Sequence, residues 1–212
     1  MILYGAPVSP FVRKVLAFAA EKSLPLELVP VGLGDQNPDF LACSPFRKMP
    51  GFTDGDFSIS DSTAIVTYLD AKYPDRPLIP TDPANRARAI WFDEFADTIL
   101  VSAAGPIFFN RVVSPKFMGK PGDDAAAAKG EADMTPVCDY LERVIPESGY
   151  LLGDTLSLAD ISVASPFVNA AHAGYVPDAQ AYPKLTAYLA AMHARPSFAD
   201  WIRRERKMLG LG

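Results

Sequence analysis

Short apolar runs alternate with helix-period patterns through the first third of the chain, and together they predict an order of elements. Met1-Ile2-Leu3-Tyr4 is an apolar run that breaks at Gly5-Ala6-Pro7 and restarts as Ser9-Pro10-Phe11-Val12-Arg13-Lys14-Val15. That is strand, turn and helix, since Val12, Val15, Leu16 and Ala19 recur at the spacing of one helix face. Residues 26–31 read as a second strand. Pro30 makes it an edge strand or ends it, because proline has no N–H for a ladder. A polar stretch over 34–43 holds a short helix near 38–41. Residues 51–54 and 57–60 then flank Asp54-Gly55-Asp56 as a hairpin, with Phe57 and Ile59 alternating against Ser58 and Ser60. A further helix spans about 61–72, with Ile65, Tyr68 and Leu69 on one face.

The strand-helix-strand half should pair in parallel and the hairpin antiparallel, giving a mixed sheet with helices on both faces. This order resembles the thioredoxin-like arrangement. The predicted architecture is an α/β thioredoxin-like domain over residues 1–75, a proline-rich linker over 76–84 and an all-α helical-bundle domain over 85–212. Pro74, Pro77, Pro80 and Pro83 mark the linker. Beyond it, Trp91, Phe95 and Ile99 share a face of one long helix, and Met134, Val137, Cys138 and Leu141 mark a second that contains Pro136. Leu185, Tyr188, Leu189 and Met192 mark another, and 197–207 a last one. The segment 113–124, with Pro115, Gly119, Pro121 and Gly122, reads as a loop.

Composition narrows the class. With 212 residues, 49% hydrophobic and 21% charged, the chain can bury a sizeable core, and its 20 prolines and 14 glycines stay below a low-complexity level. A net charge of -5 without a basic block argues against a nucleic-acid partner. No apolar run approaches a membrane span and no signal segment opens the chain, so a soluble, cytoplasmic protein with no membrane partner is expected. Cys43 and Cys138 stand apart, as do His172 and His193, none at metal-ligand spacing. Reduced thiols and no metal are expected.

Several positions carry chemistry. Ser9 before Pro10 reads as a helix cap, and equally as a hydroxyl at a helix N-terminus that donates to a bound thiolate, because capping uses the oxygen as acceptor and leaves the O–H free. Lys48-Met49-Pro50 precedes the hairpin. A cis Met49-Pro50 bond would turn the Met49 N–H and C=O outward, where an extended peptide could pair with them. Asp61-Ser62 reads as another cap, or as a site that holds a carboxylate on Ser62 and the free N–H groups while Asp61 pairs with an ammonium. Ser157-Leu158-Ala159-Asp160 fits a capping box, with Leu156 and Ile161 at hydrophobic-staple spacing, and its role is structural.

Residues 9–15, Ser44-Pro45-Phe46-Arg47-Lys48-Met49-Pro50, Ile59-Ser60-Asp61-Ser62-Thr63-Ala64-Ile65, Leu156-Ser157-Leu158-Ala159-Asp160-Ile161, Tyr182-Pro183 and Ala194-Arg195-Pro196 together resemble the cytosolic glutathione transferases of the serine type. The resemblance covers nearly the whole chain. It implies glutathione as cosubstrate, a small hydrophobic electrophile as second substrate, a homodimer, and a helical domain that contributes the electrophile pocket. Ser9 then becomes the catalytic hydroxyl. Met49 before Pro50 pairs with the cysteinyl unit, Asp61 and Ser62 take the γ-glutamyl end, and Lys48 reaches the glycine carboxylate. Tyr4 is a rival thiolate partner, and Tyr4, Phe11, Phe108, Phe109 and Arg111 are candidate pocket residues. The family also includes glutathione-dependent isomerases, dehalogenases and peroxidases, and non-catalytic glutathione-binding or interaction proteins. Three positions depart from its pattern: Met49 stands where Val or Ile is usual, Gly51 where an apolar residue is usual, and Asp61 where Glu is commoner.

Overall fold

The computed structural model describes residues 1–211. The chain forms two compact units, one over Met1–Ile79 and one from Pro80 onward. In the first, strands β1 (Ile2–Tyr4), β2 (Glu27–Val29), β3 (Gly51–Asp54) and β4 (Phe57–Ser60) form one sheet in the order β2-β1-β3-β4. β1 pairs parallel with β2 and antiparallel with β3, and β3 pairs antiparallel with β4. The mixed sheet is therefore as expected. β2 lies at an edge and stops before Pro30. The hairpin closes with Asp54 opposite Phe57, and Gly55 takes φ +61°, the left-handed conformation this tight turn requires.

Helices α1 (Pro10–Glu21), α2 (Pro38–Cys43) and α3 (Ser62–Lys72) surround the sheet. α1 and α3 pack together, while α2 packs on β3 and β4. Successive strand residues point to opposite faces, and β3 shows which helix covers which. A side-chain carbon on Gly51 would lie 2.5 Å from Cys43 Sγ on α2, whereas the next residue, the fully buried Phe52, packs its ring against Tyr68 of α3. Helices thus cover both faces. This also explains the unusual glycine at position 51: Cys43 and Phe40 fill the space an apolar side chain would take. The proline-rich stretch is held by Asp70 of α3, which accepts from the Leu78 and Ile79 amides at 3.0 and 3.1 Å and pairs with Lys22 at 2.7 Å.

The second unit is helical. α4 (Pro83–Glu94), α5 (Val101–Phe108) and α6 (Ser114–Phe117) run on through two π-helical segments, Phe95–Leu100 and Phe109–Val113. Side chains in both π segments bond back to the carbonyl four residues earlier. Thr98 Oγ1 donates to Glu94 O at 2.5 Å, and Asn110 Nδ2 donates to Pro106 O at 2.9 Å. Two expectations change here. The stretch 113–124 is not all loop, because Ser114–Phe117 is helical and continues directly from the second π segment. The Trp91, Phe95, Ile99 face also splits: Phe95 is buried beneath a stacked Trp91, while Trp91 and Ile99 stay half exposed. The loop after α6 folds back onto the second π segment. A side-chain carbon on Gly122 would fall 1.8 Å from Asn110 O, so only glycine allows that approach.

α7 (Asp124–Val144), α8 (Leu158–His172), α9 (Pro183–Ala194) and α10 (Pro196–Leu209) complete the unit. Met134, Val137, Cys138 and Leu141 of α7 and Leu185, Tyr188, Leu189 and Met192 of α9 are buried, as their spacing predicts. α8 is almost wholly buried. Both cysteines are free thiols, and burial raises the pKa of each. No described helix is long and apolar enough to cross a membrane.

Candidate active site

Three segments of the first unit converge through a chain of hydrogen bonds. Ser9 ends the turn after β1, and its N–H donates to Ala6 O at 2.9 Å. Ala6 N–H in turn meets Met49 Sδ at 3.2 Å. The Met49-Pro50 peptide is cis, and Pro50 O accepts from the Asp61 N–H at 3.3 Å. Lys14 Nζ, one turn into α1, donates to Thr63 Oγ1 at 3.2 Å and ties that helix to the first turn of α3. The turn before α1, the turn before β3 and the start of α3 therefore lie together at one end of the sheet, where Tyr4, Gly51 and Ser60 pair.

What each segment leaves open defines the chemistry. Ser9 caps α1 with extended backbone, but its Oγ lies 3.5 Å from Val12 N–H, the long limit of a hydrogen bond, and its own proton has no acceptor among the described residues. Neither the N–H nor the C=O of Met49 bonds to another backbone group among the described residues. The Met49 side chain is directed the other way, against the cluster of Tyr4, Val31, Phe40 and Cys43, so a flexible thioether serves there as well as a branched aliphatic.

Asp61 has φ +86°, a conformation that costs a residue with a side chain of order 1–3 kcal/mol. The strained residue is held from both sides, its N–H on Pro50 O and its Oδ1 on Ala64 N–H at 2.9 Å. The side chain is exposed, with one carboxylate oxygen committed to the cap. Ser62, by contrast, is 2% exposed and engaged within the fold, so little of it faces solvent. The Lys48 side chain is exposed, and its backbone is fixed at both ends by Ser44 Oγ, which accepts from Lys48 N–H at 3.0 Å and donates to Lys48 O at 2.6 Å.

Other candidates fall elsewhere. Tyr4, 5% exposed, sits in the core cluster against which Met49 packs, as a strand aromatic on the inner face does. Phe11 is half-buried in the first turn of α1. In the helical unit Phe108 is buried, while Phe109 is half exposed where the second π segment begins. Arg111 pairs with Glu131 at 2.6 Å and donates to Ala173 O at 3.3 Å. Sequence reasoning missed the strained Asp61 backbone and the Ala6, Pro50 and Lys14 contacts. The contacts have no local signal, because each joins residues far apart in sequence. Among the described residues no group of three or more His, Cys, Asp or Glu side chains could hold a metal ion.

The arrangement offers a hydroxyl donor at a helix start, an open peptide edge, a carboxylate and an ammonium. Such a set can hold a short, extended peptide with charged ends and stabilise an anion beside Ser9.

Residues 3–77 match the profile of the glutathione S-transferase N-terminal domain, and residues 110–205 that of the C-terminal domain. The chain is 34% identical to a glutathione S-transferase of Hyoscyamus muticus over 95% of this chain and 97% of that protein. Among solved structures it is similar to a glutathione S-transferase from Rhodospirillum rubrum F11, with 28% identity, a TM-score of 0.86 and coverage of 94% and 90% of the two chains. It is also similar to a glutathione S-transferase-I bound with the ligand lactoylglutathione, with 26% identity, a TM-score of 0.85 and coverage of 95% and 98%.

Proposed function

The chain belongs to the glutathione S-transferase family, and from that premise we propose that it activates the thiol of glutathione and transfers it to a small hydrophobic electrophile. The observation that carries this reading is Ser9, a capping hydroxyl whose proton has no acceptor among the described residues. A free thiol has a pKa of about 8.5, so only a few per cent is thiolate at neutral pH. A donor hydrogen bond from Ser9 at the N-terminus of α1 favours the anion, and lowering the thiol pKa by about two units would make thiolate the major form. The thiol proton leaves to solvent, the sulfur lone pair forms the new carbon–sulfur bond, and the leaving group of the electrophile departs with the electron pair of the bond it breaks, as halide from a haloarene.

The remaining groups hold the tripeptide. The Met49 N–H and C=O pair with the cysteinyl backbone as an added strand. Asp61 takes the γ-glutamyl ammonium, and the γ-glutamyl carboxylate accepts from backbone amides at the start of α3, where Ser62 stands. Lys48 reaches the glycine carboxylate. A shorter acid at 61 is compensated by the strained backbone, which carries the side chain outward while one oxygen stays on the cap. The chain pairs with a second copy of itself, a reading supported by the 85% exposed Phe46 in one unit and the half-exposed Trp91 and Ile99 in the other.

Glutathione titrated into the protein should raise the thiolate absorbance at neutral pH, and an activated haloarene should then be conjugated. Ser9→Ala should lose both signals and keep glutathione binding. If glutathione binds without thiolate absorbance or turnover, the site is a binding module and this reading is overturned. Sedimentation should give a dimer that Phe46→Asp dissociates, and an unchanged dimer would remove Phe46 from the interface.

A further inference from the structure

The helical unit carries a cavity of about 680 Å³ that the proposed chemistry does not use, within the ~300–1,000 Å³ typical of small-molecule pockets. It lies between α8 and α10, with His193 of α9 also at its wall. Ala199, Ile202, Arg203, Arg206, Lys207 and Gly210 follow one another at helical spacing, so one whole face of α10 lines the space instead of packing. The opposite wall is Val168, Ala171 and His172, the matching stripe of α8. Its floor is apolar and its rim is basic, on a chain whose net charge is -5.

The carboxylates near this rim are already committed. Asp200 pairs with Arg203 at 2.8 Å, and the fully buried Glu205 meets His172 Nε2 at 2.9 Å. His193 Nε2 bonds to Ala164 O at 2.9 Å. Arg204 is turned away over the Trp201 ring. Arg206 and Lys207 remain, two cations at the mouth with no carboxylate partner among the described residues. An arginine fork and a lysine point charge side by side match a dianionic phosphate better than a single carboxylate.

We propose that this cavity between α8 and α10 is a second small-molecule site, which takes an organic phosphate monoester with an apolar body: the body lies on Val168, Ala171, Ala199 and Ile202, and the phosphate sits on Arg206 and Lys207. The site belongs to the helical unit alone and is independent of the glutathione chemistry at Ser9.

Calorimetric titration of the full chain with 2-naphthyl phosphate, 2-naphthoate and 2-naphthol tests it. The phosphate should bind several-fold more tightly than the carboxylate and about tenfold or more above the neutral naphthol, weakening as salt rises. R206E/K207E, which alters only exposed side chains, should weaken phosphate binding by about tenfold or more with the thermal midpoint unchanged. Ala171→Trp, which narrows the mouth without changing charge, should weaken all three probes, and Ser9→Ala should weaken none. Amide resonances that shift on titration should cluster in 168–172 and 199–210. Equal affinity for phosphate and naphthol, an unchanged affinity in R206E/K207E, or shifts confined to residues 9–62 would each overturn the proposal, and only the last would assign the ligand to the glutathione site.

Discussion

Ser9 begins α1 with its oxygen 3.5 Å from the Val12 amide, whereas Ser157 begins α8 with its hydroxyl donating to Asp160 Oδ2 at 2.9 Å. Both are serines at helix starts, and both read from sequence as caps. Around Ser157 every group is answered. Asp160 accepts from the Ser157 N–H at 2.9 Å and the Leu151 N–H at 2.8 Å, with the Tyr188 hydroxyl beside it at 3.4 Å. Burial nevertheless raises the Asp160 pKa, because desolvation outweighs those donors, and it raises that of Tyr188 as well. Around Ser9 no carboxylate closes the network, and the hydroxyl proton is left over. A capping serine is structural where its neighbours use up its hydrogen bonds, and it is available for chemistry where they do not.

That contrast can be broken at several points. Asp160→Ala strands buried donors at the start of α8 and should cost about 3–4 kcal/mol of unfolding free energy in denaturant titration, with turnover per folded molecule unchanged. A matching loss of turnover would mean that the closed network also serves the site. Ser9→Ala should do the reverse: about a hundredfold loss in kcat/KM, equivalent to about 2.7 kcal/mol, against less than about 1 kcal/mol in stability because its cap contact is long. A loss confined to stability would return Ser9 to the role of Ser157.

Asp61→Asn keeps an oxygen for the Ala64 cap and removes the charge, so KM for glutathione should rise about tenfold with kcat nearly constant. A fall in kcat alone would instead make Asp61 a partner of the thiolate. The smallest effect belongs to Asp54, a closed carboxylate like Asp160 but near solvent. Its hydrogen bond from Lys72, aided by the Tyr68 hydroxyl at 2.9 Å, holds its pKa below the ordinary carboxylate value. That pairing stabilises the fold above the unfolded pKa of about 3.9 and is lost as pH falls through the lower folded value. In Lys72→Met the Asp54 pKa, followed by NMR titration, should rise and the acid arm of the stability curve should flatten. An unmoved pKa would transfer the cause to Tyr68.

Local chemistry made much of the molecule legible. The hairpin at 51–54 and 57–60 follows from Asp54-Gly55-Asp56, the helix at α1 from Ser9-Pro10 and its apolar spacing, and the start of α8 from its capping box, because each depends on residues a few positions apart. The two π segments were not legible, and with them went the continuity of 114–117 and the exposure of Ile99. Both carry a side chain bonded back to a backbone carbonyl, Thr98 to Glu94 O and Asn110 to Pro106 O, and a 3.6-residue period cannot register such a widening. Of the site, residue types and positions could be read at Ser9, Met49-Pro50 and Asp61.

Which of those groups stay open was decided only in three dimensions. Tyr4 and Arg111 carry suitable chemistry in sequence, but tertiary packing used them, one in the core beside Phe40 and one on Glu131. Sequence determined which residues can donate, accept or carry charge, since those are properties of the side chain and its local backbone. Only the folded structure decided which of them remain unspent, because a hydrogen bond or ion pair is consumed by partners that lie tens of residues away.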